Sequence, residues 1–158
     1  MITICDTGPL LAYLNRNDPH HVWAVALMKQ VRAPLLVCEP VLTEVVYFLR
    51  EDGLAIDPLF QLLERQAIRL ELHLSAHWPR IRTLMSRYGQ MDLADASVVV
   101  MTELHAPSRV LTIDRRDFSV YRRNDRQVID FVSPGRDRGR PPTEHSTRRS
   151  AFDGSKSL

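Results

Sequence analysis

Four acidic residues stand where a metal-dependent hydrolase would need them, at Asp6, Glu44, Asp95 and Asp114. Asp6 and Asp114 each follow a short apolar run, and Glu44 and Asp95 each lie early in a helix-like segment. In an open α/β sheet, the carboxyl ends of the strands and the helices beside them line one crevice, so the four side chains can meet there. Oxygen ligands of this kind bind hard divalent cations such as Mg²⁺ or Mn²⁺.

Short apolar runs between helical patterns predict the strands that carry these acids. Such runs are typical of buried parallel strands. The predicted strands cover Ile2–Cys5, residues 35–38, an edge strand at 68–74, a central strand at 109–113 and a last short strand at 127–131. The predicted helices, with their capping residues, cover 8–15, 18–31, 40–50, 57–66, 75–87 and 92–104. This alternation predicts an α/β fold with a mainly parallel sheet.

Local signals predict where several of these helices begin and end. The pairs Asp18-Pro19 and Asp57-Pro58 predict a capping aspartate followed by proline at the first helical position. Ser75 is the predicted cap of a later helix, and Gly53 is the predicted stop of the helix that carries Glu44.

Asp95 is the acid that is hardest to explain as a structural residue. Asp92 lies three residues earlier on the same helix face and suits the N-cap position. Asp95 is instead surrounded by small apolar residues that are expected to be buried, namely Ala94, Ala96, Val98, Val99 and Val100. A buried carboxylate needs a compensating partner, and a cation is one. We therefore assign Asp95 to the site and treat Asp92 as a cap.

Three further residues near Asp114 have weaker claims to a role in the site. Asp117 is expected to be a turn or cap residue rather than a metal ligand. Arg115 and Arg116 are candidates for phosphate contact, although exposed charge beside a loop is the ordinary interpretation.

Composition indicates one domain of ordinary size in 158 residues. No stretch approaches the roughly 20 apolar residues of a membrane span. The amino-terminal residues lack a signal-peptide pattern. Cys5 and Cys38 lie in predicted buried strands and are expected to be reduced, which fits a cytoplasmic protein. From residue 133 to 158 the chain is rich in proline, glycine and arginine, which predicts a flexible basic tail.

The chain resembles the PIN-domain ribonucleases, and within them the VapC-type toxins of bacterial toxin–antitoxin modules. The segments that carry the resemblance span nearly all of residues 1–132: they are Ile4-Cys5-Asp6-Thr7-Gly8-Pro9, Asn17-Asp18-Pro19-His20-His21, Leu42-Thr43-Glu44-Val45, Met91-Asp92-Leu93-Ala94-Asp95-Ala96-Ser97 and Leu111-Thr112-Ile113-Asp114-Arg115-Arg116-Asp117-Phe118. Each motif alone is weak, but all of them occur in order and at domain-scale spacing. The segment 133–158 has no counterpart in the resemblance.

The resemblance implies a PIN-like three-layer sandwich over residues 1–132, with a mainly parallel central sheet flanked by helices. It implies Asp6 and Asp95 as the principal Mg²⁺ ligands, with Mn²⁺ as a substitute. Glu44 and Asp114 would complete the acidic site, and Thr112 would be a supporting hydroxyl. It further implies an RNA substrate, a small antitoxin as partner and a homodimer.

Other hydrolase and nucleotide-binding classes fit the sequence poorly. A phosphoryl-accepting receiver domain needs a lysine at a strand end, and neither Lys29 nor Lys156 is placed for that. A haloacid-dehalogenase-like phosphatase needs two aspartates separated by one residue, which Asp6-Thr7-Gly8 does not provide. P-loop and dinucleotide-binding glycine motifs do not occur. A solitary RNA-processing PIN nuclease and a catalytically idle PIN-like binding module remain as alternatives.

Overall fold

The structure is a computed structural model, and it describes residues 1–135. Most of the tail expected at 133–158 therefore lies outside the described residues. The elements in chain order are β1 (Ile2–Cys5), α1 (Thr7–Leu14), α2 (His21–Met28), β2 (Leu35–Val37), α3 (Glu39–Glu51), α4 (Asp57–Glu64), β3 (Ile68–Leu70), α5 (Leu74–Arg87), α6 (Leu93–Leu104), β4 (Ser108–Leu111), α7 (Arg115–Val120), β5 (Arg122–Arg123), β6 (Gln127–Val128) and β7 (Phe131–Val132).

The main sheet has five strands in the order β3-β2-β1-β4-β7. All four pairings between these strands are parallel. The predicted α/β class with a mainly parallel sheet flanked by helices is thereby confirmed. The prediction that the strand after residue 68 lies at an edge is also confirmed, since β3 has only β2 beside it among the described strands.

The core lies on both faces of the central strands. Consecutive strand residues point to opposite faces, yet Leu35–Val37 are all buried, as are both Ile4 and Cys5 in β1. Helices therefore cover the sheet on each side, which is the usual arrangement for parallel strands. Cys5 and Cys38 are free and buried, as expected. Within the described part of the chain, no helix has the length and apolar character needed to cross a membrane.

Two of the predicted helix starts are wrong for the same physical reason. Asp18 accepts a hydrogen bond from the backbone N–H of His20 at 2.7 Å, so it closes a turn, and α2 begins only at His21. Asp57 is already the first residue of α4, and its carboxylate accepts from the Gln61 side chain at 2.6 Å. In both places the aspartate bonds to a nearby group other than the helix N–H that a capping residue would satisfy.

Other predicted boundaries need smaller corrections. Ser75 is inside α5 and does not cap it, since His73 takes the N-cap position. Gly53 ends α3 as predicted, with a φ of 67° that suits glycine. The strands predicted at 35–38 and 109–113 are shorter than expected, at Leu35–Val37 and Ser108–Leu111.

The segment after β4 differs most from the prediction. The single strand expected at 127–131 is two strands, because β6 pairs antiparallel with β5 in a hairpin while β7 joins the main sheet beside β4. The helix α7 was not predicted at all. It fills the connection between β4 and the hairpin and begins directly after Asp114, so it contributes to the arrangement of the acidic residues.

Candidate active site

Asp6 and Asp114 come together because their strands are neighbours in the sheet. β1 and β4 pair in parallel with Cys5 opposite Leu111, and the Asp6 N–H extends the ladder to the Leu111 carbonyl at 2.9 Å. From β1 the chain moves outward to β2 and β3, whereas β4 and β7 lie on the other side of β1. The carboxyl ends of β1 and β4 therefore flank the point where strand order reverses, which is the usual ligand crevice of an open α/β sheet.

Thr112 joins these two aspartates directly. Its hydroxyl donates to Asp6 Oδ2 at 2.8 Å and accepts from the Asp114 N–H at 2.9 Å. Thr112 is fully buried, and its own N–H donates to the carbonyl of Val132 in β7 at 3.1 Å. The hydroxyl is thus held by the sheet, and it sets the orientation of the Asp6 carboxylate and of the backbone at Asp114.

Thr7 connects Asp6 to Glu44 on a different helix. Its N–H donates to Asp6 Oδ1 at 2.7 Å, and its hydroxyl donates to Glu44 Oε2 at 2.5 Å. Glu44 lies in the second turn of α3, which starts just after β2, and it is half-buried. The amino end of α1 also sits close to the end of β4, because a Cβ at Gly8 would lie 3.0 Å from the side chain of Ile113.

Asp95 is positioned at the amino end of α6. Asp92 caps this helix by accepting from the Asp95 N–H at 2.7 Å, as the sequence predicted. The Asp95 side chain is 1% exposed and lies among the buried residues that were expected around it. Its Oδ2 accepts a hydrogen bond from the Tyr121 hydroxyl at 3.0 Å. A buried carboxylate requires such donors, because removal from water is costly otherwise.

The short helix α7 links Asp114 with Asp95. Asp114 caps it by accepting from the Asp117 N–H at 3.0 Å, so the cap is Asp114 and Asp117 lies in the first turn of the helix. Tyr121 is the C-cap of the same helix and donates to Asp95. One end of α7 therefore contacts the β4 side of the site, and the other end contacts α6.

The acids raise the pKa values of nearby neutral groups. Burial, and to a smaller extent the charges of Asp6 and Glu44, together raise the pKa of the Cys38 thiol to about 12. Burial also raises the pKa of the Tyr121 hydroxyl well above its ordinary value, with the charges of Asp95 and Asp117 adding to the effect. Both groups therefore stay protonated at neutral pH. The carboxylates contribute to both shifts, because a nearby negative charge disfavours a thiolate or a phenolate.

The structure connects three of the four predicted acids through hydrogen bonds, since Thr7 joins Glu44 to Asp6 and Thr112 joins Asp6 to the backbone of Asp114. Asp95 is connected to α7 by the hydrogen bond from Tyr121. Within residues 1–135, no group of three or more His, Cys, Asp or Glu side chains is arranged to enclose a metal ion. The donor set consists of oxygens, which fits a cation such as Mg²⁺ that keeps several waters and takes one or two carboxylates.

Two residues of the site were missed in the sequence. The sequence assigns no role to Thr7 beyond its place in a motif, although its hydroxyl donates a hydrogen bond to Glu44. Tyr121 was not considered, because the helix before it was not predicted. The available signal was the pair Phe118 and Tyr121, whose three-residue spacing after Asp114 is typical of one apolar face on a short helix.

We expect Thr112→Val to destabilise the fold by about 1–3 kcal/mol, because the buried Asp6 carboxylate and the Asp114 N–H would each lose a partner. The shape of the side chain is conserved, so no cavity forms. Thr102→Val is the matched control, since Thr102 is equally buried and its hydroxyl bonds only to the Val99 carbonyl in the same helix. Urea unfolding of both variants measures the free energy of unfolding that each one loses. Equal losses would show that the hydrogen bonds of the Thr112 hydroxyl contribute no more to stability than that of Thr102.

Comparison with known proteins agrees with this geometry. The family model described as PIN domain matches residues 3–124 of the chain. Ribonuclease VapC26 of Mycobacterium tuberculosis (strain ATCC 25618 / H37Rv) is 28% identical over 124 residues, covering 75% of this chain and 91% of that protein. The matched region includes Asp6, Glu44, Asp95 and Asp114. The resemblance found in the sequence is confirmed, and the chain belongs to the PIN-domain family.

Proposed function

We propose that this protein is a Mg²⁺-dependent endoribonuclease that hydrolyses phosphodiester bonds in single-stranded or loop RNA, and that it acts in the cytoplasm as the toxin of a toxin–antitoxin pair. The observation that supports this most strongly is the row of hydrogen bonds that holds Glu44, Asp6 and Asp114 at the strand-order reversal of a PIN domain. Asp95 lies in the first turn of α6, a helix that contacts both β1 and β4. The similarity to a protein named ribonuclease VapC26 supports the RNA substrate and the toxin role.

Asp6 and Asp95 are the residues that would hold the cation. Both are buried, and each is oriented by a hydroxyl donor, from Thr112 and Tyr121 respectively. When bound, a divalent cation supplies positive charge that offsets the charge developing on the phosphate oxygens, and it makes an attacking water more acidic. Two carboxylates and no closed cage leave coordination positions for phosphate oxygens.

Glu44 and Asp114 would act on the water and the substrate. Glu44 is half-buried and held by Thr7, so its carboxylate is in a fixed position to orient the attacking water and accept its proton. The water oxygen would form a bond to phosphorus while the bond to one ester oxygen breaks, and the departing oxygen would take a proton from solvent water. Asp114 is half-buried at the rim of the site, where it acts through an intervening water.

Arg115 and Arg116 are the residues that we assign to RNA binding. Both are exposed and follow Asp114 directly, in the first turn of α7. Positive side chains are unfavourable at the amino end of a helix, so their placement does not serve helix stability. A guanidinium binds phosphate through two parallel hydrogen bonds, which suits an RNA backbone passing over the site.

The proposal assigns nuclease activity to residues 1–132, since β7 ends at Val132 and the family match lies within this range. It also includes a homodimer and a small antitoxin that masks the acidic site. A positively charged antitoxin side chain reaching Asp6 or Asp95 would compete with the cation for the same carboxylates.

The first functional prediction concerns the metal ligands. The purified protein should cut single-stranded RNA with Mg²⁺ or Mn²⁺ and stop with EDTA. Asp95→Asn should lower the cleavage rate at least about 100-fold, because losing a ligand charge removes about 3 kcal/mol or more of transition-state stabilisation. Asp130→Asn is the control, since Asp130 is exposed and its carboxylate pairs with Arg109 of β4 at 2.8 Å. Full activity in EDTA, or in Asp95→Asn, would contradict the proposed mechanism.

A second prediction concerns Arg115 and Arg116. The double variant Arg115→Gln/Arg116→Gln should bind single-stranded RNA more weakly, and the slope of log affinity against log salt should flatten by about 1.4, or roughly 0.7 for each lost phosphate contact. Binding is measured by fluorescence anisotropy in EDTA to prevent cleavage.

The matched control is Arg32→Gln/Arg65→Gln. These two arginines are exposed and lie three residues before β2 and β3, at the amino-terminal edge of the sheet. Their loss should leave the salt slope unchanged. An equal effect of both double variants would mean that RNA follows another surface.

A third prediction concerns growth and the antitoxin. Expression of the wild type alone should arrest bacterial growth, whereas Asp6→Asn or Asp95→Asn at equal protein level should be tolerated. Co-expression with the neighbouring upstream reading frame should restore growth and yield a stable complex. If that neighbour neither binds nor rescues, a solitary RNA-processing nuclease becomes the better account.

A further inference from the structure

The buried side chains of Tyr121 and Asp95 form a hydrogen bond with each other. We propose that Tyr121 is a positioning residue, whose hydroxyl fixes the Asp95 carboxylate in the orientation that binds the divalent cation. This inference rests on the proposed function of the same site. Its basis is one contact, the Tyr121 hydroxyl donating to Asp95 Oδ2 at 3.0 Å, with both side chains almost fully buried.

The Tyr121 ring is itself held in place by other aromatic rings. Its centroid lies 5.2 Å from that of Tyr88 and 5.4 Å from that of Phe118, both in edge-to-face arrangements. The ring centroid of Phe118 in turn lies 6.4 Å from that of Phe131 in β7. A tyrosine has few rotatable bonds, so a packed ring presents its hydroxyl at a defined point. Asp95 thereby receives a rigid donor supported by α5, α7 and β7.

A carboxylate on a helix has several side-chain conformations available, and the hydrogen bond from Tyr121 favours one of them. Fixing it before the cation arrives removes an ordering cost that binding would have to overcome. The hydroxyl is neutral, so it orients Asp95 without cancelling the negative charge that attracts the cation. Hydrogen-bond partners of metal ligands typically contribute 10- to 100-fold to metal affinity or activity.

The position of Tyr121 also couples two acids of the site. It forms the C-cap of α7, while Asp114 forms the N-cap of the same six-residue helix. A displacement of α7 would therefore move the Asp114 carboxylate and the donor to Asp95 together. This arrangement explains why a short helix with few core residues carries a fully buried tyrosine at its end.

Titration calorimetry with Mn²⁺ on the full chain tests the proposal. Tyr121→Phe keeps the ring and removes only the hydroxyl, and we expect the Mn²⁺ dissociation constant to rise by about 10- to 100-fold. Tyr88→Phe is the matched control, because it removes a hydroxyl from the same aromatic cluster without touching Asp95, and its dissociation constant should equal that of the wild type. Cleavage measured against Mn²⁺ concentration should show a raised half-saturation for Tyr121→Phe, with kcat largely recovered at saturating metal.

A double variant separates positioning from general packing. In an Asp95→Asn background, Tyr121→Phe should cause no further loss of Mn²⁺ affinity, since the ligand that it orients is already altered. Equal Mn²⁺ affinity in the wild type and Tyr121→Phe would overturn the inference and leave the proposed nuclease intact. A wild type that binds no Mn²⁺ would overturn the proposed function together with the inference. A loss in Tyr88→Phe equal to that in Tyr121→Phe would assign the effect to packing and also overturn the inference.

Discussion

The parallel pairing of β1 with β4 is the constraint on which the rest of the site depends. It brings together segments that are more than a hundred residues apart in the chain, as the Asp6–Thr112 hydrogen bond shows with a separation of 106. The carboxyl ends of these strands are the point where strand order reverses, and the helices α1 and α7 begin there. Asp6 and Asp114 follow these two strands, whereas Glu44 and Asp95 are carried by the helices α3 and α6.

Neutral hydroxyl groups donate hydrogen bonds to three of the acids, and their neutrality affects the charge of the site. Thr7, Thr112 and Tyr121 donate to Glu44, Asp6 and Asp95 respectively. Hydrogen bonds from neutral donors satisfy buried carboxylates and set their directions, yet they leave the total charge unchanged. Burial is the main cause of the raised pKa values of Cys38 and Tyr121, and the neighbouring carboxylates add to it. The acids are thus held in defined orientations while their negative charge is kept.

The sequence predicted an element correctly where the local pattern and the tertiary structure favour the same backbone conformation. β1 and the cap of α6 at Asp92 were predicted correctly, because a buried apolar run and a capping carboxylate leave few alternatives. Prediction failed at Asp18, whose carboxylate bonds within a turn, and at α7, whose short length leaves the Phe118–Tyr121 spacing as a weak helical signal. The partners of the acids could not be predicted either, since Thr7 and Tyr121 meet Glu44 and Asp95 only through tertiary packing.

The late position of β4 in the chain has a consequence during protein synthesis. Asp6 and Glu44 leave the ribosome early, but Thr112 and Asp114 follow only after most of the domain has been made. A nascent chain that ends before β4 has none of the bonds that orient Asp6 through Thr112, and it lacks the tyrosine that contacts Asp95. The acidic centre therefore cannot be completed before the segment from β4 to Tyr121 has been synthesised. Under the proposed function, the translating ribosome and its message are not exposed to an assembled site until the domain is nearly finished.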